Sequence, residues 1–354
     1  MDADTLLKRA RLEGTPLVDG ETVTFVWRGK FPPQLLGDWT GWESGTPVSL
    51  DAAGPGVWIH STDFPSDAYL EYAYLRGEKR LRDSLNPRIV DNGVGSYNHF
   101  FSMPRADSTR LTVRPRGVAR GTVTRHVIDG SFASVGSRRA VYWYQPPYDG
   151  PVPLLVVFDG GDFIRRARLA VIVDNLIAQG RMEPVAMALV EHSRRARFVE
   201  YASGDAALMF ILNDVLPLSR RNLNLVDIEA APGAYGVMGA SMGGLMALYA
   251  GLRLPHVFGS VVSLSGAFSL PGLDPVVNDM VREFSTRPLK IWLSVGRYEW
   301  LLDANRRMHA LLEQKGYAVA YREFNAGHNY TAWREDLWRG LEELFPGENT
   351  GERA

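Results

Sequence analysis

One stretch constrains this chain more than any other: Tyr235-Gly236-Val237-Met238-Gly239-Ala240-Ser241-Met242-Gly243-Gly244-Leu245-Met246-Ala247-Leu248-Tyr249-Ala250. An apolar run short enough to be a buried strand breaks at Gly239, and an Ala-rich helical pattern resumes at Gly244, so Ser241 falls on a sharp strand-to-helix turn. That is where a nucleophile belongs. A side chain at Gly239 or Gly243 would crowd the turn and block the approach of helix and neighbouring strand, which gives both glycines a physical task. In a chain with 35 glycines the letters G-x-S-x-G arise easily by chance; strand before and helix after give them weight.

The remaining composition narrows the class. A chain of 354 residues exceeds the size that one core usually serves, so two domains are expected. A formal charge of −1 argues against nucleic acid as a partner, while leaving room for a locally basic pocket. There is no cysteine, which removes disulfides, thiolate metal ligands and a Cys nucleophile together. The stretch Met1-Asp2-Ala3-Asp4-Thr5-Leu6-Leu7-Lys8-Arg9-Ala10-Arg11 is charged throughout, and no apolar run approaches membrane-spanning length. A cytoplasmic protein with no membrane partner is the expectation.

Taken in order, residues up to about 20 read as a short charged helix and a Gly turn. Thr22 to Gly29, Gln34 to Trp39, Val57 to Ser61 and Tyr69 to Arg76 are short, alternating or aromatic-rich, and bounded by Gly, Pro or Asp. They predict an antiparallel β-sandwich over residues 1–104. Its tryptophans Trp27, Trp39, Trp42 and Trp58 read as core at alternating positions, with a sugar-binding platform as the other option. The module is expected to lean over the site and shape it. Pro, Gly and charge without periodicity mark 105–119 as a linker, and 120–354 as the catalytic domain.

Beyond the linker, strand candidates at Thr122 to Ile128, Ala140 to Tyr144, Pro153 to Phe158, Val185 to Val190, Tyr235 to Ala240, Phe258 to Ser265 and Lys290 to Val295 are interleaved with helices. Strands apolar on both faces that alternate with helices imply a mainly parallel sheet covered on both sides. Ligands of such sheets sit at the carboxyl ends of the strands, so the residues just past each strand are the candidates. They are Asp159-Gly160-Gly161-Asp162, Glu191-His192-Ser193-Arg194-Arg195, Ser241, Gly296-Arg297-Tyr298-Glu299, and Asn325-Ala326-Gly327-His328-Asn329. The order serine, acid, histidine is that of an α/β-hydrolase triad. A hydroxyl needs a base to attack, and the base needs a carboxylate to hold its tautomer. Of the seven histidines, His328 alone follows a late strand on a Gly loop, and it is the candidate base. Glu299, three residues past a strand-ending glycine, is the candidate acid, with Asp303 as its rival where a helix has already begun. Oxyanion donors fall on the amide of Met242 and on Gly160 or Gly161. This chemistry calls for no metal and no cofactor.

The stretches Leu36-Gly37-Asp38-Trp39-Thr40-Gly41-Trp42, Ser84-Leu85-Asn86-Pro87-Arg88, Phe158-Asp159-Gly160-Gly161, Ser241-Met242-Gly243-Gly244-Leu245, and Gly327-His328-Asn329-Tyr330-Thr331-Ala332-Trp333-Arg334 followed by Trp338-Arg339-Gly340-Leu341 stand out together. They resemble the enterochelin (ferric-enterobactin) esterase family, the first of them its immunoglobulin-like domain. The resemblance covers most of the chain. It implies that Ser241, Glu299 and His328 match the family's serine, acid and histidine, and that the substrate is a catecholate siderophore ester. The chain departs from the family pattern at Ser265-Gly266-Ala267-Phe268-Ser269, which has a single aromatic, at Gly161-Asp162-Phe163, and at Asn329 where Asp is frequent. Relatives with the same fold remove feruloyl or acetyl groups from polysaccharide, and a non-catalytic binder on this fold is the further alternative. Arg165-Arg166-Ala167-Arg168 and Arg194-Arg195-Ala196-Arg197 follow two strands beside the site, near helix starts where cations oppose the dipole. Such a cluster suits an anionic small molecule such as a ferric catecholate, although Arg197 could instead pair with Glu200. Arg165, Arg194, Arg195, Arg197 and Trp333 are the candidate substrate contacts.

Overall fold

The computed structural model describes residues 2–42, 45–93, 95–129, 138–193, 196–272 and 274–349. The chain divides into two compact units. One holds Met1–Ser108 together with Gly296–Trp300 and Phe324–Ala332, and the other holds Thr109–Val295, Leu301–Glu323 and Trp333–Ala354.

The first unit opens with the helix Ala3–Glu13, whose first turn is capped by the Asp2 carboxylate accepting from Thr5 N–H, and which stops at Gly14 with φ 83°. An all-β, immunoglobulin-like sandwich follows. Its four-stranded sheet runs in the order Leu17–Asp19, Thr22–Arg28, Val57–Asp63, Asp51–Gly54. Its second sheet runs Val48–Ser49, Gln34–Gly37, Tyr69–Arg76, Tyr97–Ser102, Ile89–Asp91, with Lys79–Leu81 also paired on Tyr69–Arg76. Side chains alternate across a strand, so Leu70, Tyr72 and Tyr74 enter the core with Val23 and Phe25 of the facing sheet. Phe25 meets Tyr72 edge-on at 5.1 Å and stacks on Trp39 at 5.2 Å. Trp27, Trp39 and Trp58 pack against this core. A Cβ on Gly37 would overlap the Trp39 ring, so only glycine lets that ring lie across the chain.

The opposite face of Tyr69–Arg76 carries Tyr69 and Glu71, and the segment Phe324–Ala332 lies on it. Tyr69 N–H donates to Asn325 O at 3.0 Å, and the Asn325 side chain donates to Asp67 at 2.7 Å. Tyr69 and Phe100 form a small apolar cluster with Phe324, Ala326 and Ala332. These contacts explain why residues far along the chain belong to the β unit.

The second unit is built on an eight-stranded sheet in the order Thr122–Asp129, Arg138–Gln145, Ala186–Val190, Leu154–Phe158, Tyr235–Ala240, Phe258–Leu264, Lys290–Gly296, Ala318–Phe324. Its first two ladders are antiparallel, and those joining Ala186–Val190 through to Lys290–Gly296 are parallel. The strands Leu154–Phe158, Ala186–Val190 and Tyr235–Ala240 are buried at every position, as a sheet covered on both faces requires. This is the α/β-hydrolase fold. Residues 109–113, read in sequence as linker, pack onto this unit. Thr109 N–H donates to Glu335 Oε2 at 2.5 Å, Leu111 is buried, and the Asn175 amide donates to the carbonyls of Leu111 and Val113. No helix among the described residues is long and apolar enough to cross a membrane.

Candidate active site

Ser241 lies between the strand Tyr235–Ala240 and the helix Met242–Arg253, with φ 58° and ψ −122°. A non-glycine residue in that region carries strain of about 1–3 kcal/mol, which the surroundings must hold in place. They do so through three backbone bonds: Ser241 N–H to Leu264 O at 2.8 Å, Ala267 N–H to Ser241 O at 3.1 Å, and Leu245 N–H to Ser241 O at 3.0 Å. A Cβ on Gly239 would overlap the Gly243 carbonyl, and one on Gly243 would stand 3.3 Å from Phe158 and the Asp159 carboxylate. The turn therefore needs glycine before the serine and leaves little room for a side chain after it. Met242 is the first helical residue, so its amide has no acceptor within the helix and is set against the positive end of the dipole.

The strand Leu154–Phe158 ends at Asp159, which is left-handed at φ 57°, and the short helix Gly160–Arg165 begins directly after it. A Cβ on Gly160 would overlap the Leu189 backbone, and one on Gly161 the Glu191 carboxylate. Gly160 is demanded by close packing against the backbone of the strand Ala186–Val190, whereas at Gly161 only movable side-chain ends stand in the way, and the two amides are the first of the helix. Asp159 is 1% exposed, and Arg197 grips its carboxylate with Nε at 2.9 Å and Nη2 at 2.6 Å. Tyr201 packs edge-on against Phe158 at 5.1 Å, and burial pushes its phenol well above the ordinary range.

In the first unit, His328 Nδ1 is hydrogen-bonded to Glu299 Oε2, and Gly296 N–H donates to Glu299 Oε1 at 2.6 Å. The Glu299 side chain is fully buried and that of His328 15% exposed. Asp303 lies in the first turn of the helix Leu302–Gln314, 77% exposed, with Arg306 at 3.7 Å. Of the two acids weighed in the sequence, Glu299 is the one joined to His328. Gly327 leaves space for a second buried carboxyl: a Cβ there would overlap Asp38. Asp38 accepts from Trp42 Nε1 at 2.9 Å and from Glu71 N–H at 2.8 Å. Burial first, and then the Glu71 and Glu299 charges, hold its carboxyl well above the usual carboxylate range.

The proposed substrate contacts fare differently. Arg165 is 60% exposed and borders a polar cleft of about 550 Å³ with Arg125, Arg138, Glu191 and His192. Arg194 and Arg195 lie outside the described residues. The Arg197 guanidinium is engaged with Asp159, the role of a brace behind the turn, while Glu200 binds Arg139. Trp333 is 4% exposed and donates its indole N–H to Ser265 Oγ at 2.9 Å, which places it in the scaffold. Sequence reasoning missed Asp38, Glu71 and the Asp159–Arg197 pair. Two signals were available: Asp159 is adjacent to the glycines already singled out, and Asp38 stands within the Leu36 to Trp42 motif.

The Esterase family model, described as "Putative esterase", matches residues 133–344. The Iron(III) enterobactin esterase of Dickeya dadantii is 26% identical, covering 96% of this chain and 92% of its own length. That of Escherichia coli is 26% identical over 91% of this chain and 80% of its own. Among solved structures, the enterobactin esterase of Shigella flexneri in the presence of enterobactin superposes with a TM-score of 0.75 at 23% identity, over 93% of this chain and 94% of that one. A match over most of the hydrolase unit, on a fold with the serine turn and the adjoining glycine loop already in place, carries one conclusion: the chain belongs to this esterase family and is a carboxylic ester hydrolase.

Proposed function

We propose that the protein is a serine esterase that hydrolyses the ester bonds of a catecholate siderophore, with Ser241 as nucleophile, His328 as base and Glu299 as orienting acid. The observation that carries this reading is the bond between His328 Nδ1 and the buried Glu299 carboxylate, which fixes the tautomer whose Nε2 accepts a proton. Further support comes from Ser241 on its strained turn. Ser241 Oγ attacks the ester carbonyl as His328 takes its proton; the oxyanion rests on the amides of Met242 and of Gly160 or Gly161. His328 returns the proton to the departing alcohol, then activates water to release the acid.

The substrate class is supported by the relatives named as Iron(III) enterobactin esterases. Arg125, Arg138 and Arg165 line one polar cleft, where Arg165 lies 3.4 Å from Asp162 and 3.7 Å from Glu191. Six negative catecholate oxygens around a ferric ion make such an ester strongly anionic, and the iron is part of the substrate. A cytoplasmic site of action belongs to the same proposal and is tested by fractionation of the native host. The decisive assay sets ferric enterobactin beside a feruloyl ester, with wild-type protein and Ser241→Ala. Turnover of the siderophore that vanishes in the variant supports the reading; turnover unchanged by the substitution, or confined to the feruloyl ester, defeats it.

A further inference from the structure

We propose that the cleft walled by Trp42, Tyr298, Trp300 and His328 is an aryl subsite for the leaving-alcohol half of the substrate. It has a volume of about 340 Å³ and lies wholly within the first unit, with Arg297 also among its lining residues. That is enough for one ring, at the small end of ligand pockets.

Three features indicate that it is built for a flat ring. Trp300 is 65% exposed, yet its ring centroid stands 4.6 Å from that of His328, so a large apolar surface is left in water beside the base. Trp42 is held at φ 54°, a conformation that a non-glycine residue adopts only under constraint. The constraint is visible: its indole N–H is bonded to the buried Asp38 carboxyl, and the Arg80 guanidinium lies 5.5 Å from its ring centroid. Tyr298 is fixed from behind by Phe64 of the sandwich core, edge-on at 6.0 Å. The aromatic walls are thus set before a ligand arrives, which lowers the entropy cost of binding. The Arg297 cation suits an electron-rich or hydroxylated ring.

The choice of the alcohol half rests on the reading of His328 as base. That imidazole gives its proton to the departing alkoxide, so the group seated against it is the one that leaves. No new covalent step is implied. Trp42, Tyr298 and Trp300 act as specificity-determining residues.

Benzyl acetate and methyl phenylacetate are isomers that carry the ring on the alcohol and the acyl side respectively. Trp300→Ala and Trp42→Ala are each expected to lower kcat/KM for benzyl acetate about 10- to 30-fold, as loss of an aromatic contact and its buried area implies. Methyl phenylacetate changes by less than about threefold in the same variants, which also reports an intact turn and base. Equal losses on both isomers, or none on either, overturn the assignment. Independently, Ser241→Ala protein binds 3,4-dihydroxybenzyl alcohol by isothermal titration calorimetry, and adding Trp300→Ala weakens that binding at least about fivefold; unaltered binding sinks the subsite. If Ser241→Ala still hydrolyses both esters the proposed mechanism fails, and the calorimetry decides the subsite by itself.

Discussion

Glu299→Gln isolates the contribution of one buried carboxylate. Glu299 Oε2 is bonded to His328 Nδ1 while Oε1 accepts from Gly296 N–H at 2.6 Å, and the side chain is fully buried. A carboxamide is nearly the same shape but has only one acceptor oxygen. If that oxygen keeps the Gly296 bond, the NH₂ faces Nδ1 and forces the imidazole into the tautomer with its proton on Nε2, which cannot accept from Ser241. If the amide flips, the productive tautomer is kept but two N–H donors, those of the amide and of Gly296, confront each other in a dry site, at a cost of about 1–3 kcal/mol. The first arrangement therefore predominates, and the proposed base is lost in most molecules. A carboxylate of this kind replaced by its amide costs roughly 10³- to 10⁴-fold in rate, or about 4–5.5 kcal/mol of transition-state stabilisation. The assay is kcat/KM for 4-nitrophenyl acetate from pH 6 to 9, with a thermal melt to verify folding. Asp303→Asn is the matched control. Its carboxylate is 77% exposed, with Arg306 at 3.7 Å among the described residues, so less than a twofold change is expected. A folded Glu299→Gln protein within tenfold of wild type, or an Asp303→Asn protein that loses orders of magnitude, would refute this argument.

Three further outcomes follow from the same contacts. Gly239→Ala drives a methyl into the Gly243 carbonyl and is expected to cost about 1–3 kcal/mol of stability and more than 99% of esterase activity, whereas Gly243→Ala, with its nearest neighbours at 3.3 Å, keeps measurable turnover; equal activity in the two variants contradicts the packing account. Asp159→Ala removes the buried carboxylate that Arg197, 28% exposed, holds, and is expected to lower stability by about 3 kcal/mol, with Asp159→Asn milder; melts within about one degree of wild type count against the brace. Asp38 has its folded pKa raised, so its contribution is full below the ordinary value of 3.8 and is lost as pH rises through the folded value. Asp38→Asn does not titrate, so the melting temperature of the variant relative to wild type should climb from pH 4 to pH 8; a flat difference shows that Asp38 ionises normally.

Much of the architecture was legible in sequence because it is local. Tyr69 to Arg76 was marked by its aromatics and bounding residues and forms a strand over those residues, while Tyr235 to Ala240 was marked by an apolar run that stops at glycine. The preference for Glu299 over Asp303 rested on distance from a strand-ending glycine, since three residues reach back to the strand end and seven enter the next helix. Arg197 shows where that reasoning stops. As a cation near a helix start it looked available to a substrate, and nothing in the letters announces that Asp159, 38 residues earlier, would hold it.

The chain by itself determined the turn that exposes Ser241, the order of strands and helices and the candidates at their ends, because backbone freedom and side-chain period act over a few residues. Only the tertiary structure decided which charges neutralise one another, that Asp38 is buried against Gly327, and that Trp42 and Trp300 share a cleft with His328. Burial and pairing depend on neighbours remote in sequence, and a carboxyl or an indole acquires its properties from those neighbours.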